Sequence, residues 1–165
     1  MILARISHFL APIGCDLRIF GHEGIVLNKY HYDPNFLTIQ GPSRLHGHNV
    51  WVKNRRKIEV TVPDGCLLIQ HRRQLEWLTA ENIKVGFHEI VLSKNTTEAI
   101  KLAREQTWSL WSVSMLFAQI APNAILELLD YFIDSTLAYQ YPPIRAGEYF
   151  EQQINDVTNM CRGLL

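Results

Sequence analysis

The chain is poor in cysteine, which limits both its covalent chemistry and its choice of metal ligands. Only Cys15, Cys66 and Cys161 occur, and their wide spacing forms no pair of metal-binding thiolates. An odd and dispersed set of cysteines fits a reducing compartment better than a disulfide scaffold. We therefore predict a cytoplasmic protein.

An excess of charge of one sign is also lacking, because sixteen Lys and Arg residues balance sixteen Asp and Glu residues. Nucleic acid and anionic membrane surfaces usually select proteins with a net positive charge. No apolar run approaches the ~18 residues of a membrane-spanning helix, and the N-terminus lacks the long apolar region of a secretory signal. We expect neither nucleic acid nor a membrane as a partner.

Short apolar blocks separated by turn residues are abundant over residues 25–120. Ile58, Val60 and Val62 alternate with polar residues, which is the period-two pattern of a strand with one buried face. The turn signal Pro63-Asp64-Gly65 follows them. Several such strands in succession predict a mainly β domain of the sandwich or jelly-roll type.

The whole chain of 165 residues is predicted to form one domain. Residues 1–24 are rich in turn residues and predict a loop-rich lead into the β core. The pattern Asn95-Thr-Thr-Glu98 resembles a capping box and predicts a helix near residues 96–106. Helices are predicted over residues 121–165, the first of them from an apolar stripe between Ile125 and Ile133.

Three polar residues in this β region could bind a metal. His31 and Asp33 are two residues apart at the end of a predicted strand, so their side chains leave the same face. His88 lies on another apolar strand, where a polar residue needs a reason to be present. Two imidazoles and one carboxylate leave coordination positions open, which suits iron(II), whereas structural zinc prefers a closed shell. Because the chain has seven histidines, this spacing alone is a weak pattern.

A longer series of segments resembles one enzyme family. The segments are His31-Tyr-Asp-Pro-Asn-Phe-Leu-Thr-Ile-Gln40, Val62-Pro-Asp-Gly-Cys-Leu-Leu-Ile-Gln70, Gln74-Leu-Glu-Trp-Leu-Thr79, Gly86-Phe-His-Glu-Ile-Val91 and Tyr141-Pro-Pro-Ile-Arg-Ala-Gly147. In this order they resemble the isopenicillin N synthase-like 2-oxoglutarate and iron(II)-dependent dioxygenases, over about residues 12 to 150.

The resemblance implies a double-stranded β-helix, or jelly roll, with helices at its C-terminus. It implies an iron(II) site formed by His31, Asp33 and His88, and 2-oxoglutarate as a co-substrate. It also implies oxidation of a second, small organic substrate, which would make the chain an oxidoreductase.

The sequence departs from the family at the co-substrate site. Relatives present an Arg-x-Ser motif there, and its arginine pairs with the distal carboxylate of 2-oxoglutarate. The matching residues here are Ser112 and Ser114, so both are candidate co-substrate ligands, but Ser112 stands in the place of the arginine. A neutral hydroxyl cannot replace a planar charged fork, which weakens the expectation of 2-oxoglutarate binding.

Two further differences lie around the site: Thr79-Ala80-Glu81 replaces a typical Thr-Gly-Gly, and His71-Arg72-Arg73 adds bulk and charge. Arg72 and Arg73 lie where relatives tend to have small residues; either could supply a substitute charge, although arginines in such a turn usually face solvent. His46 and His48 form a tempting second metal pair, but relatives have ordinary loop residues there and a solvated role is the default.

The chain also reaches its metal-binding strand sooner than its relatives do. We therefore expect either a fragment or a sheet that is incomplete at its N-terminal edge and covered by a partner chain. The leading hypothesis is an iron(II) dioxygenase-like oxidoreductase. Two rivals remain open: a catalytically silent relative that serves as a metal-binding or interaction module, and a cupin-like metal isomerase on the same architecture.

Overall fold

Eight strands arranged in two antiparallel sheets dominate the structure, a computed structural model that describes residues 8–43, 46–52, 55–105 and 110–162. In spatial order, the first sheet consists of β1 (Phe9–Asp16), β8 (Leu110–Ala118), β3 (Leu37–Gln40) and β6 (Leu68–His71). The second sheet consists of β2 (Val26–His31), β7 (Phe87–Val91), β4 (His48–Trp51) and β5 (Lys57–Glu59). Two such four-stranded sheets form a jelly roll, so the predicted fold class is confirmed.

A cluster of apolar side chains joins the two sheets. Its buried members come from β7 and the residue after it, from β8, and from the short α1 (Leu17–Phe20) and α3 (Lys94–Glu105). They are Leu17, Ile90, Leu92, Ile100, Val113 and Met115. Each large aliphatic side chain buried in this way stabilises the fold by roughly 1.5–3 kcal/mol. The helix predicted near residues 96–106 corresponds to α3, which covers one end of this core.

The N-terminal segment differs from the prediction of a loop-rich lead. Instead, β1 pairs with β8 from Phe9 to Asp16, eight residues without interruption. Pro12, which suggested a loop, lies in this edge strand, where one side of the backbone needs no ladder partner and a missing N–H is tolerated. Asp16 then caps α1 by accepting a hydrogen bond from the backbone N–H of Arg18.

The prediction of a helix between Ile125 and Ile133 is wrong. This segment forms the two-residue strand β9 (Ile125–Leu126), which pairs with β10 (Ile144–Arg145), and then a 3-10 turn. Most of the apolar stripe faces no core among the described residues: Leu126 is buried, whereas Ile125, Leu129 and Ile133 are exposed. An amphipathic pattern predicts a helix only when the apolar face is buried.

A second apolar cluster lies beneath the C-terminal helix α4 (Ala146–Arg162). The short helix α2 (Arg73–Leu78) contributes Leu78 and Trp77 to this cluster. Tyr149 of α4 is 2% exposed, and its ring lies 4.5 Å from that of Trp77. None of the described helices is long and apolar enough to span a membrane.

Gly47 fixes the start of β4 against β7. Its φ angle is +117°, and a Cβ atom placed there would lie 2.5 Å from the carbonyl oxygen of Val91. Only glycine adopts this backbone conformation without strain, and only glycine permits so close an approach. The Gly47 carbonyl accepts a hydrogen bond from the Val91 N–H at 3.0 Å. This contact places the next residue, His48, beside the histidine of β7.

Candidate metal centre

The structure brings His31, Asp33 and His88 together inside the jelly roll. His31 ends β2 and pairs in register with His88 of β7, while Asp33 follows two residues after His31. One ligand atom from each residue lies within 4.8 Å of the others, and all three residues are largely buried. The fold therefore brings these three residues together, as the sequence predicted. The role of His31, Asp33 and His88 as metal ligands stays a prediction.

His31 is oriented for metal binding by its backbone. Its Nδ1 atom lies 2.6 Å from the carbonyl oxygen of Lys29, which can only accept a hydrogen bond. Nδ1 therefore carries the proton, and Nε2 directs a lone pair toward Asp33 Oδ1, 3.4 Å away. The Asn28 amide lies 3.4 Å from the same Nε2 and fits this assignment as a donor. A cation between His31 and Asp33, either a proton or a metal ion, satisfies both atoms.

Asp33 is held by a buried arginine as well as by His31. The Arg72 side chain is 0% exposed, and its Nη2 atom lies 2.9 Å from Asp33 Oδ2, although it is not aligned for a hydrogen bond. Burial alone would raise the pKa of Asp33. Where a proton lies between His31 and Asp33, the hydrogen bond from His31 lowers this pKa, and the charge of Arg72 lowers it further; together they outweigh burial and hold the pKa well below its usual range.

Thr38 connects these two charged groups. Its hydroxyl donates to Asp33 Oδ2 at 3.2 Å and accepts from Arg72 Nε at 2.9 Å. Thr38 lies on β3 and is 0% exposed, so its rotamer is fixed by the sheet around it. The Thr38 hydroxyl therefore bridges Asp33 and Arg72 from a rigid strand.

His88 has a different environment from His31. Its Nδ1 atom lies 3.3 Å from Arg72 Nη1, and a guanidinium group can only donate. Nδ1 must then accept, which leaves the proton on Nε2, the atom that faces Asp33 Oδ2 at 3.9 Å. Burial, followed by the charge of Arg72, lowers the pKa of His88 to about 3, so the ring is neutral.

The residues fit a divalent metal by position and donor type. Two imidazole nitrogens and one carboxylate oxygen are the set that leaves open positions on iron(II), and the unshared lone pairs of His31 and Asp33 face each other. His88 fits by position, but its tautomer opposes the fit as long as Arg72 donates to Nδ1.

His48 is a fourth histidine at this centre that the sequence did not single out as part of the triad. It is 8% exposed, its ring lies 5.7 Å from that of His88, and neither of its ring nitrogens has a hydrogen-bond partner among the described residues. Burial, with the charge of Arg72, lowers its pKa to about 4. It borders a cavity of about 170 Å³ that Gln40, His46 and Asp64 also line. His46 is half exposed, and its Nδ1 atom lies 3.9 Å from Glu59 Oε1, so this placement gives no support to a second metal pair of His46 and His48.

The predicted co-substrate residues lie on β8. Ser114 is exposed between the buried Val113 and Met115, on the opposite side of the strand from the core. The backbone of Ser112 pairs with Gly14, and its side chain lies outside the described part of the structure. This placement gives no support to co-substrate binding by Ser114, which stays a prediction.

Arg72 is the site residue whose environment the sequence did not reveal. An arginine in a turn usually faces solvent, yet this one is enclosed, whereas Arg73 is partly exposed and pairs with Glu76 of α2. The available signal was the replacement of small residues by arginine beside the metal-binding segments. Arg73 also borders a larger open cleft of about 830 Å³, together with Tyr32, Trp51, Lys84 and Phe87.

Comparisons with known proteins find this architecture among solved structures. No family model and no curated protein matches the chain. Among solved structures, a full-length Neurospora crassa protein in complex with alpha-KG is 15% identical, with a TM-score of 0.73. That match covers 94% of this chain and 46% of the Neurospora protein.

Two further solved structures agree. A protein assigned to the 2OG-Fe(II) oxygenase family from Caulobacter crescentus is 18% identical, with a TM-score of 0.72 and coverage of 94% of this chain and 48% of that one. The rice dioxygenase for auxin oxidation is 11% identical, with a TM-score of 0.67 and coverage of 89% and 45%. The chain thus spans about half the length of each neighbour. It has the double-stranded β-helix fold of the 2-oxoglutarate and iron(II)-dependent oxygenases, the family that its sequence resembles.

Proposed function

We propose that this chain is an iron(II)- and 2-oxoglutarate-dependent oxygenase-like oxidoreductase that acts on a small organic substrate. The observation that carries the proposal is the convergence of His31, Asp33 and His88 within 4.8 Å inside the jelly roll. A chelating set of this composition is uncommon by chance in a buried position, because isolated buried carboxylates and imidazoles are costly.

Each residue has a defined part in this proposal. His31 offers its Nε2 lone pair because the Lys29 carbonyl holds the Nδ1 proton, and Asp33 offers a carboxylate that burial does not neutralise. Bound iron(II) would supply the redox chemistry that dioxygen activation requires. The surrounding sheets limit access of water to the centre. Ser112 and Ser114 are the proposed contacts for 2-oxoglutarate, without the charged anchor of the family.

A catalytically silent relative that retains a metal-binding or interaction role is the second candidate. The pairing of Arg72 with Asp33 favours it, because the arginine already compensates the carboxylate charge that a metal would use. We place either function in the cytoplasm, since Cys15 and Cys66 are both free thiols.

An anaerobic titration with iron(II), with and without 2-oxoglutarate, tests the proposal. We expect a visible metal-to-ligand charge-transfer band that requires both additions and disappears in His31→Ala and Asp33→Ala. His46→Ala, at a half-exposed histidine outside the triad, is the matched control and should keep the band. Iron binding without the band would favour the silent relative, particularly if Ser112→Arg restored it.

A further inference from the structure

We propose that Arg72 and a divalent metal ion are alternative occupants of one charge site, so that Arg72 is an internal competitor for the metal. This inference rests on the proposed metal site and names a form of regulation built into it. It concerns the affinity of the site, which can be measured without any turnover.

Arg72 already compensates the charge of Asp33. Arg72 Nη2 lies 2.9 Å from Asp33 Oδ2, and both side chains are shielded from water. A guanidinium stays protonated at any accessible pH, so Asp33 is neutralised permanently rather than conditionally. A divalent ion bound to the same carboxylate would add two positive charges beside an existing one in a poorly screened interior. Arg72 therefore reduces the favourable free energy that Asp33 contributes to metal binding.

Arg72 also determines which nitrogen of His88 carries the proton. Arg72 Nη1 can only donate to His88 Nδ1, and this forces the imidazole proton onto Nε2, the atom nearest to Asp33. A neutral imidazole binds metals through the nitrogen without a proton. His88 can become a ligand through Nε2 only after Nδ1 takes the proton, which requires the Arg72 donor to leave.

His31 has a different hydrogen-bond partner. The Lys29 carbonyl accepts from His31 Nδ1 and so leaves Nε2 free, which is the usual arrangement of a metal-bound histidine. Arg72 imposes the opposite arrangement on His88. One residue thus acts on two of the three ligands, through charge at Asp33 and through a hydrogen bond at His88.

Arg72 is also unsuited to the role of substitute anchor for a co-substrate. Its Nε atom donates to Thr38, and its Nη1 atom lies within 3.3 Å of both the Gly86 carbonyl oxygen and His88 Nδ1. With a side chain that is 0% exposed, these donors face protein atoms rather than a ligand cavity. Arg72 therefore acts on the metal ligands Asp33 and His88 rather than on a co-substrate.

The test is the affinity for Mn(II), measured on the full chain by the loss of the free-ion electron paramagnetic resonance signal. Arg72→Gln and Arg72→Met should each bind Mn(II) about tenfold more tightly than the parent, or better. Arg73→Gln, the matched control at a partly exposed arginine, should stay within about threefold of the parent. Circular dichroism establishes that each variant is folded, and the glutamine variant keeps a donor for Thr38 if the methionine variant fails to fold.

A second arm measures coupling. His88→Ala should lower Mn(II) affinity more in the Arg72→Gln background than in the parent, because only there is Nε2 free to bind. Equal affinity of parent and Arg72 variants, with binding that still depends on His31, would overturn the competition and leave the metal site intact. Absence of Mn(II) binding in every folded variant would overturn the metal site itself, and the competition with it.

Discussion

The two sides of the triad differ although they carry the same residue type. On the β2 side, His31 gives its Nδ1 proton to a backbone carbonyl and presents a lone pair to Asp33. On the β7 side, His88 accepts from Arg72 and presents a proton instead. The three residues are positioned alike for metal binding, so position alone does not define a metal site. The partner of the second ring nitrogen decides what each histidine can do.

The largest expected effect comes from removing the carboxylate that both sides share. Asp33→Ala leaves Arg72 buried without its counter-charge, and breaking a buried ion pair in this way typically costs ~3–5 kcal/mol in the free energy of unfolding. Urea denaturation of the metal-free chain measures this loss. Adding Arg72→Met to Asp33→Ala should recover a large part of it, because no unpaired charge then remains.

A cost below about 1 kcal/mol for Asp33→Ala would show that Arg72 is not compensated mainly by Asp33. In that case the two sides of the triad would not share a charge, and the comparison between them would reduce to the two histidine tautomers.

Acidification should have the next largest effect, through His48 of β4, which lies beside the β7 side of the triad. His48 has a pKa of about 4 in the folded chain and about 6.5 when unfolded, because burial and Arg72 oppose its charge, while Asp33 favours it and His31 opposes it more weakly. The unfolded chain therefore takes up this proton first as the pH falls. The contribution of His48 to the free energy of unfolding is fully present above about pH 6.5 and is lost toward pH 4. The total loss for this group is roughly 3 kcal/mol.

Urea midpoints between pH 7.5 and 4 measure this slope. His48→Leu should reduce the slope and leave the part that His88 contributes through its own lowered pKa, whereas His46→Leu, at a half-exposed position, should leave the slope close to that of the parent. An unchanged slope in His48→Leu would mean that acid sensitivity arises elsewhere in the chain.

The smallest of these effects should come from the bridge between the two sides. Thr38→Val keeps the shape of the side chain but removes the acceptor for Arg72 Nε and the donor to Asp33. Leaving a buried donor unsatisfied typically costs ~1–3 kcal/mol. Thermal unfolding measures the loss, and Thr61→Val, at an exposed threonine, is the matched control. A neutral Thr38→Val would show that Arg72 does not depend on this bridge.

Much of the jelly roll could be predicted because its strands alternate apolar and polar residues in short blocks. The two differences have local physical causes: β1 contains Pro12 but lies at a sheet edge, and the stripe around Leu129 is mostly exposed. The triad was identifiable because its residue types match the segments of a known family.

The environment of Arg72 could not be predicted in the same way. Its burial depends on Asp33, Thr38 and Gly86, which approach it from distant parts of the chain. Such contacts arise from tertiary packing and leave no periodic pattern in the sequence. Only the size and charge of the residue at this position hinted at them.

Gly47 has a consequence for how this protein can vary. Every other amino acid would bring a Cβ atom to within 2.5 Å of the Val91 carbonyl oxygen, whereas the same change at Gly41 would meet nothing within 4 Å. In a library of all single substitutions selected for folded protein, position 47 should therefore tolerate only glycine, and position 41 should accept many residues. Gly47 would then vary less in such a library than any residue of β4 itself.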